Sequence, residues 1–372
     1  MKFKKLFAGI LAVAMMATMA APAFAAARVS DRYATVGDTK IAVDTDGSFT
    51  IKKNLTSNDN GTAPAEEFEL TATPYSSSNT SITDFDSNNK YKLTFAKATK
   101  GADGQYTGFT AKVPEFEKPG VFVYELKEKD NATAGMTYDS NTYYLTVYAF
   151  NKTYSTTKVE KNDLQYAVRL SRGLTALNDT HSDDYKVDTI NNSYAAEPLS
   201  ITKTVNGNMG DRTREFEFTV NFKAPKAKIV KSEISVTGDH GEVSIVTGGT
   251  LTNNVLTFNE GATEVSLKVM LKHGQTVNFT NLPKDVEYTV TETKADGYKT
   301  YVTAGNSDES ESLITSDKIA NAAVEIEYEN VNGDTTIDTG VILDNAPYIA
   351  LMMVVVAGAA VMIIKKRRHF ED

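Results

Sequence analysis

Six residues carry the chemistry this sequence can offer. They form two ordered triplets: Lys53, Glu128 and Asn192, then Lys203, Glu292 and Asn330. Each triplet combines an amine, a proton carrier and a carboxamide. Burial lowers the pKa of a lysine and raises that of a glutamate, so a buried pair tends towards a neutral amine and a protonated acid. A neutral amine is a nucleophile, and a protonated glutamate can give and take protons. Held against an Asn carboxamide, the amine can attack the carbonyl carbon while Glu polarises the amide and shuttles protons. Ammonia leaves, and a Lys–Asn isopeptide bond remains. The reaction happens once, within one chain, without metal or cofactor. The same residues also fit a buried Lys–Glu pair with Asn as a hydrogen-bonding neighbour. Their recurrence in the same order in both halves favours the reaction.

The triplets emerge from the period of two that places alternate residues of a strand on one face. Phe49, Ile51, Lys53 and Leu55 share a face, as do Leu199, Ile201, Lys203 and Val205. Phe122, Tyr124 and Leu126 take Glu128 with them; Val286, Tyr288 and Val290 take Glu292. Ile190 shares its face with Asn192, and Val324, Ile326 and Tyr328 share theirs with Asn330. These faces are apolar and must point into a core, so the polar residues on them go in too.

Strand signals dominate the middle of the chain: FTIKKNL, EFELTA, GVFVYELKE, TYYLTVYAF, LSITKTV, EFEFTVNF, EVSLKVML, EYTVTE and VEIEYEN. They are rich in β-branched and aromatic residues and are separated by polar turns, the pattern of all-β sandwiches. They also repeat. TIKKNL precedes EFELTA as ITKTVNG precedes EFEFTV, and Pro119 and Pro283 each stand five residues before a Tyr. Two domains are expected, at 28–195 and 196–334, stacked end to end because Asn192 and Lys203 lie only eleven residues apart.

The ends have different jobs. Lys2, Lys4 and Lys5 precede an apolar run, and Ala23-Phe24-Ala25 offers the small residues of a cleavage site, so residues 1–25 read as a secretory signal rather than a membrane anchor. Residues 346–364 are free of charge and long enough to span a bilayer as a helix; Lys365, Lys366, Arg367 and Arg368 follow and hold that end inside the cell. Between these ends, residues 26–340 hold 32 Lys and Arg against 45 Asp and Glu, a balance that disfavours nucleic acid as a partner. The chain has no Cys, so disulfides cannot stabilise it outside the cell.

Taken with TIKKNL, EKPGV, INNSYAAEPLSITK, GDRTREFEF, NLP…YTVTE and APYIAL, the chain resembles the major shaft pilins of Gram-positive bacteria, of the kind found in group A streptococci. The resemblance implies two tandem Ig-like sandwiches, each with one autocatalytic bond: Lys53–Asn192 assisted by Glu128, and Lys203–Asn330 assisted by Glu292. It implies that residues 335–372 form a sorting signal, with TIDTG in place of the familiar LPxTG. A pilus sortase would cut between Thr339 and Gly340 and join Thr339 to a lysine of an identical subunit, and finally to peptidoglycan. Tip or basal pilins would be further partners. No YPKN motif is present; by position, Lys186 in HSDDYK is the candidate acceptor, expected to be exposed. A wall-anchored adhesin or minor pilin of the same architecture would share all of this except polymerisation.

Other signals are weak. His181, His240, His273 and His369 are scattered without metal-ligand spacing. VDTDGSF lacks the later ligands of a calcium loop and reads as a hairpin turn at Asp46-Gly47. No nucleophile–His–acid grouping or phosphate loop is apparent, so the chain is expected not to be an enzyme acting on other molecules.

Overall fold

The computed structural model describes residues 41–75, 90–151, 164–172, 186–305, 307–319 and 322–333. The signal segment, Thr339, Gly340 and the apolar stretch 346–364 lie outside the described residues. Among those described, the regular structure is entirely β.

The first half supplies β1 (Ser48–Ser57), β2 (Leu70–Tyr75), β3 (Phe109–Lys112), β4 (Gly120–Glu128), β5 (Met136–Thr137), β6 (Tyr143–Asn151), β7 (Leu164–Arg172), β8 (Lys186–Val187) and β9 (Thr189–Tyr194). They form two sheets, ordered β3-β1-β9-β5 and β2-β4-β6-β7-β8. One apolar core lies between them, with Phe49, Ile51 and Ile190 from the first sheet and Phe122, Tyr124, Leu145 and Val168 from the second. The second half supplies β10 (Ala196–Asn206), β11 (Phe216–Lys223), β12 (Ile234–Asp239), β13 (Val243–Thr247), β14 (Gly249–Thr252), β15 (Val255–Phe258), β16 (Glu264–Leu271), β17 (Thr276–Pro283), β18 (Glu287–Glu292), β19 (Lys299–Ala304), β20 (Ser310–Glu311), β21 (Ile314–Lys318) and β22 (Val324–Val331). Its sheets run β14-β15-β12-β17-β10-β22-β19-β20 and β13-β16-β11-β18-β21, over a second core.

Burial follows sequence alternation where one face of a strand meets solvent. β11 and β18 alternate along nearly their whole length. β7 does not: LQYAVRLSR is buried on both faces, so it carries no period of two and gives no alternating signal. The turn before β1 forms at Asp46-Gly47, with Gly47 at φ 89° and the Asp44 N–H bonded to the Ser48 carbonyl at 2.7 Å. A side chain at Gly47 would be strained in that left-handed conformation.

In both halves the first and last strands are parallel neighbours: β1 with β9, and β10 with β22. Parallel neighbours cannot be joined by a hairpin. Here each pair brings together residues from opposite ends of its half, so this contact closes the fold.

Only Ala195 separates β9 from β10. Around it the halves meet in a bonded seam. Thr133 bridges Ile229, the Ala134 N–H donates to the Ile229 carbonyl at 2.8 Å, and the Lys284 N–H donates to the Ala195 carbonyl at 2.9 Å. Glu66, nearly buried, accepts from Lys231 Nζ, Thr133 Oγ1 and Tyr138 OH, each at 3.0 Å. Glu66→Ala leaves these donors without their acceptor. It should lower stability by about 1–3 kcal/mol in thermal denaturation, and an unchanged melting curve would show that the seam holds without it.

Candidate cross-linking sites

The strand faces deliver each triplet to the core between two sheets. β1 and β9 carry Lys53 and Asn192 on one sheet, and β4 carries Glu128 on the sheet opposite. Likewise β10 and β22 carry Lys203 and Asn330, and β18 carries Glu292 from across the sandwich. The side chains of Lys53 and Glu128 are 0% and 1% exposed; those of Lys203 and Glu292 are both 0% exposed. Asn192 and Asn330 are also buried.

The register is the same in both. Lys53 lies opposite Ile190, and Asn192 stands two residues further along β9. Lys203 lies opposite Tyr328, and Asn330 stands two residues further along β22. Residues two apart share a face, so each Asn is the diagonal neighbour of its Lys, within reach of a long side chain.

A single carboxylate joins amine and carboxamide. Lys53 Nζ lies 2.7 Å from Glu128 Oε1, an ion-pair contact whose angles fall outside those of a hydrogen bond, and Asn192 Nδ2 donates to the same oxygen at 3.0 Å. Glu128 Oε2 has no hydrogen-bond partner. In the second site Lys203 Nζ donates to Glu292 Oε2 at 3.1 Å and to the Tyr328 carbonyl at 3.4 Å, while Asn330 Nδ2 donates to Glu292 Oε1. The structure therefore brings all six residues together as two threes.

The carboxylates meet the carboxamides at nitrogen, where ammonia would leave, and not at the carbonyl oxygen. The oxygens face elsewhere: Asn192 Oδ1 accepts from the Asp139 N–H at 2.9 Å, and Asn330 Oδ1 is buried without a hydrogen-bond partner. This geometry fits Glu to moving a proton from the attacking nitrogen to the departing one.

Aromatic rings complete each box. Lys53 Nζ lies 4.5 Å from the centre of the Phe68 ring and 6.0 Å from that of Phe109. Lys203 Nζ lies 4.7 Å from Phe216 and 6.0 Å from Phe218. The rings exclude water. Burial pushes Lys53 below its ordinary value against the attraction of Glu128, and pushes Lys203 down to about 8 against that of Glu292. Burial raises both glutamates, against the pull of their lysines. The proton can thus pass from amine to carboxylate, which frees the nucleophile.

Sequence reasoning missed several of these neighbours. Phe68 and Phe216 occupy matching places in EFELTA and EFEFTV, so the repeat held that signal. His273 was set aside as a metal ligand; its Nδ1 accepts from the Val205 N–H at 3.0 Å and pins β10 two residues beyond Lys203. Burial lowers its pKa, helped by the nearby charges of Arg212 and Lys203, consistent with a neutral ring that accepts. Asp139 gave no signal, because its contact with Asn192 is through the main chain. Lys186 is half-buried rather than exposed: it lies on β8, where pairing with Ser171 at the sheet edge draws it partly in. Among the described residues no group of His, Cys, Asp or Glu is arranged to hold a metal ion.

Comparison with known proteins follows the same division. Residues 49–195 match the family described as the Spy0128-like isopeptide containing domain, and residues 197–331 match a family described as a domain of unknown function, DUF7601. A pilin of Streptococcus pyogenes serotype M1 is 28% identical over 338 residues, covering 86% of this chain and 84% of that protein. The crystal structure of the major pilin from Streptococcus pyogenes aligns with a TM-score of 0.47 at 22% identity, covering 77% of this chain and 99% of that one. A second major pilin from that organism, T3.2, aligns with a TM-score of 0.47 at 21% identity, covering 77% and 98%. The family description gives chemistry to the first half alone; the second half has its repeated geometry.

Proposed function

We infer that this pilin-like chain, with its Spy0128-like isopeptide containing domain at residues 49–195, is a shaft subunit of a pilus, sealed internally by two Lys–Asn bonds and joined to its copies by a sortase. The observation that carries the internal chemistry is the duplication of one geometry: amine and carboxamide on parallel neighbouring strands, with a buried carboxylate from the facing sheet touching both. In each site the neutral lysine attacks the Asn carbonyl carbon, the glutamate carries the proton to the amide nitrogen, and ammonia leaves. Lys53 joins Asn192, and Lys203 joins Asn330. The chain acts once on itself and on nothing else.

Assembly uses the residues beyond the second sandwich. The apolar stretch 346–364 and its basic tail hold the chain at the outer membrane face while a pilus sortase opens the Thr339–Gly340 bond. The acyl group passes to Lys186 of the next subunit, and at the base to peptidoglycan. Among the described residues Lys186 sits on the outermost strand of its sheet, six residues before Asn192.

Wall extracts boiled in SDS should give a ladder of covalent multimers. Thr339→Ala should reduce the ladder to monomer, and Lys186→Arg should do the same while leaving the monomer's mass unchanged apart from the substitution. A single band from the native strain would mean an anchored, non-polymerising protein. A ladder that survives Lys186→Arg would move the acceptor to another lysine.

A further inference from the structure

We propose that the Asp139 backbone N–H is the oxyanion donor of the first site, and that the Asp139 side chain is the clamp that positions it. The proposal rests on the bond-forming reading of Lys53, Glu128 and Asn192. The N–H points at the carbonyl oxygen that would take the charge, at 2.9 Å, within the range useful to a developing oxyanion. Glu128 is on the nitrogen side of the same carboxamide. The two polar ends of the Asn192 amide therefore have different partners with different tasks.

The reaction balances with these groups alone. The Lys53 Nζ lone pair forms a bond to Asn192 Cγ, and the carbonyl π pair moves onto Oδ1, where the Asp139 N–H meets it. Protonated Glu128 gives the proton on Oε1 to Nδ2, and the carboxylate so formed takes one from the attacking nitrogen. The Cγ–Nδ2 bond breaks, the carbonyl reforms, and ammonia departs.

Residue 139 is held in place by its own carboxylate. Oδ1 accepts from the Asn141 N–H at 2.9 Å and Asn141 Nδ2 at 2.7 Å; Oδ2 accepts from Tyr143 OH and, at 3.4 Å, from the Asn191 N–H. These contacts tie the loop before β6 to β9 beside Asn192. Burial pushes the carboxyl up, but these hydrogen bonds outweigh it and hold the pKa below its usual value, so the clamp is ionised at neutral pH.

The second site has no such donor. Asn330 Oδ1 is buried and unbonded. The two bonds should therefore form at different rates, the first faster.

The test follows both bonds in the full chain made by cell-free translation, by intact mass and peptide mapping over time. Malic acid introduced at position 139 by nonsense suppression exchanges the N–H for an ester oxygen and keeps the carboxylate. The expected result is a Lys53–Asn192 bond slowed by about 10²–10³-fold, with Lys203–Asn330 formed at its native rate. Asp139→Ala should slow the first bond through loss of the clamp, and Asp139→Asn, which keeps the N–H and one acceptor, should restore most of the rate. A first bond that forms at the native rate in both the ester chain and Asp139→Ala overturns the proposal while leaving the bond-forming reading intact. Native chain that loses no ammonia overturns both. Should the ester chain fail to fold, Tyr143→Phe, which removes one clamp contact, decides in its place: slowed first-bond formation is expected, and an unchanged rate counts against the clamp.

Discussion

Glu128→Ala protein should weigh one ammonia more than the native chain after allowing for the substitution, Glu292→Ala likewise, and the double variant two. Among the described residues each glutamate is the only carboxylate in contact with its lysine amine, and it also touches the amide nitrogen. Without it the attacking nitrogen has no acceptor for its proton, and the departing nitrogen has no donor. Water cannot substitute, because both lysine and glutamate side chains are essentially sealed from solvent. Glu128→Gln should also fail, since an amide fills the space but cannot carry a proton. The two sites lie in separate cores, so the surviving bond in each single variant serves as an internal control. Peptide mapping should show β1 attached to β9 in Glu292→Ala, and β10 attached to β22 in Glu128→Ala. Loss of both ammonias in either single variant would remove the glutamates from the chemistry.

Asn192→Ala should melt roughly 10–20 °C below the native protein in the transition of its first sandwich. The bond closes a loop from Lys53 to Asn192 and so restricts the unfolded chain. Treated like a disulfide of similar span, it contributes about 4–5 kcal/mol, and at this size each kcal/mol moves the midpoint by about 2–4 °C. Asn192→Ala is the cleaner probe because it leaves the Lys53–Glu128 pair in place. Lys53→Ala removes the bond and also the buried lysine stem beside Phe68 and Phe109, leaving a cavity there, so this variant should fall further. Calorimetry should also show the second transition little changed in both. If native and Asn192→Ala chains melted together, the first sandwich would have no covalent closure to lose.

Much of the site was legible because a strand's period of two is strict. Once Phe49 and Ile51 are assigned to the core, Lys53 has to follow them, and the same holds for Glu128 behind Tyr124 and Leu126. The repeat then turned three weak local readings into a pair of matching ones. Other features left no trace in side-chain pattern. β7 is buried on both faces and so reads as an undifferentiated apolar run. The Asp139 N–H is a group that almost every residue has, and only the fold can aim it. Whether Glu128 meets the carboxamide at oxygen or nitrogen depends on the rotation of one side chain, which no spacing encodes. Lys186 was judged by its polar neighbours, and strand pairing with Ser171 decided its exposure instead.

The single residue between β9 and β10 has a mechanical consequence. In a fibre linked as proposed, tension enters a subunit at Lys186, runs along β9, crosses Ala195 into β10, and reaches Lys203. There it leaves the strand through the Asn330 bond and continues towards Thr339. Everything between Lys203 and Asn330 in the chain is bypassed, and the residues before Lys186 hang beside the taut line. Among the described residues of that line, no hairpin is there to peel open and no folded loop to pay out. The fibre would behave as a cord without slack: it could break, but it could not lengthen by unfolding.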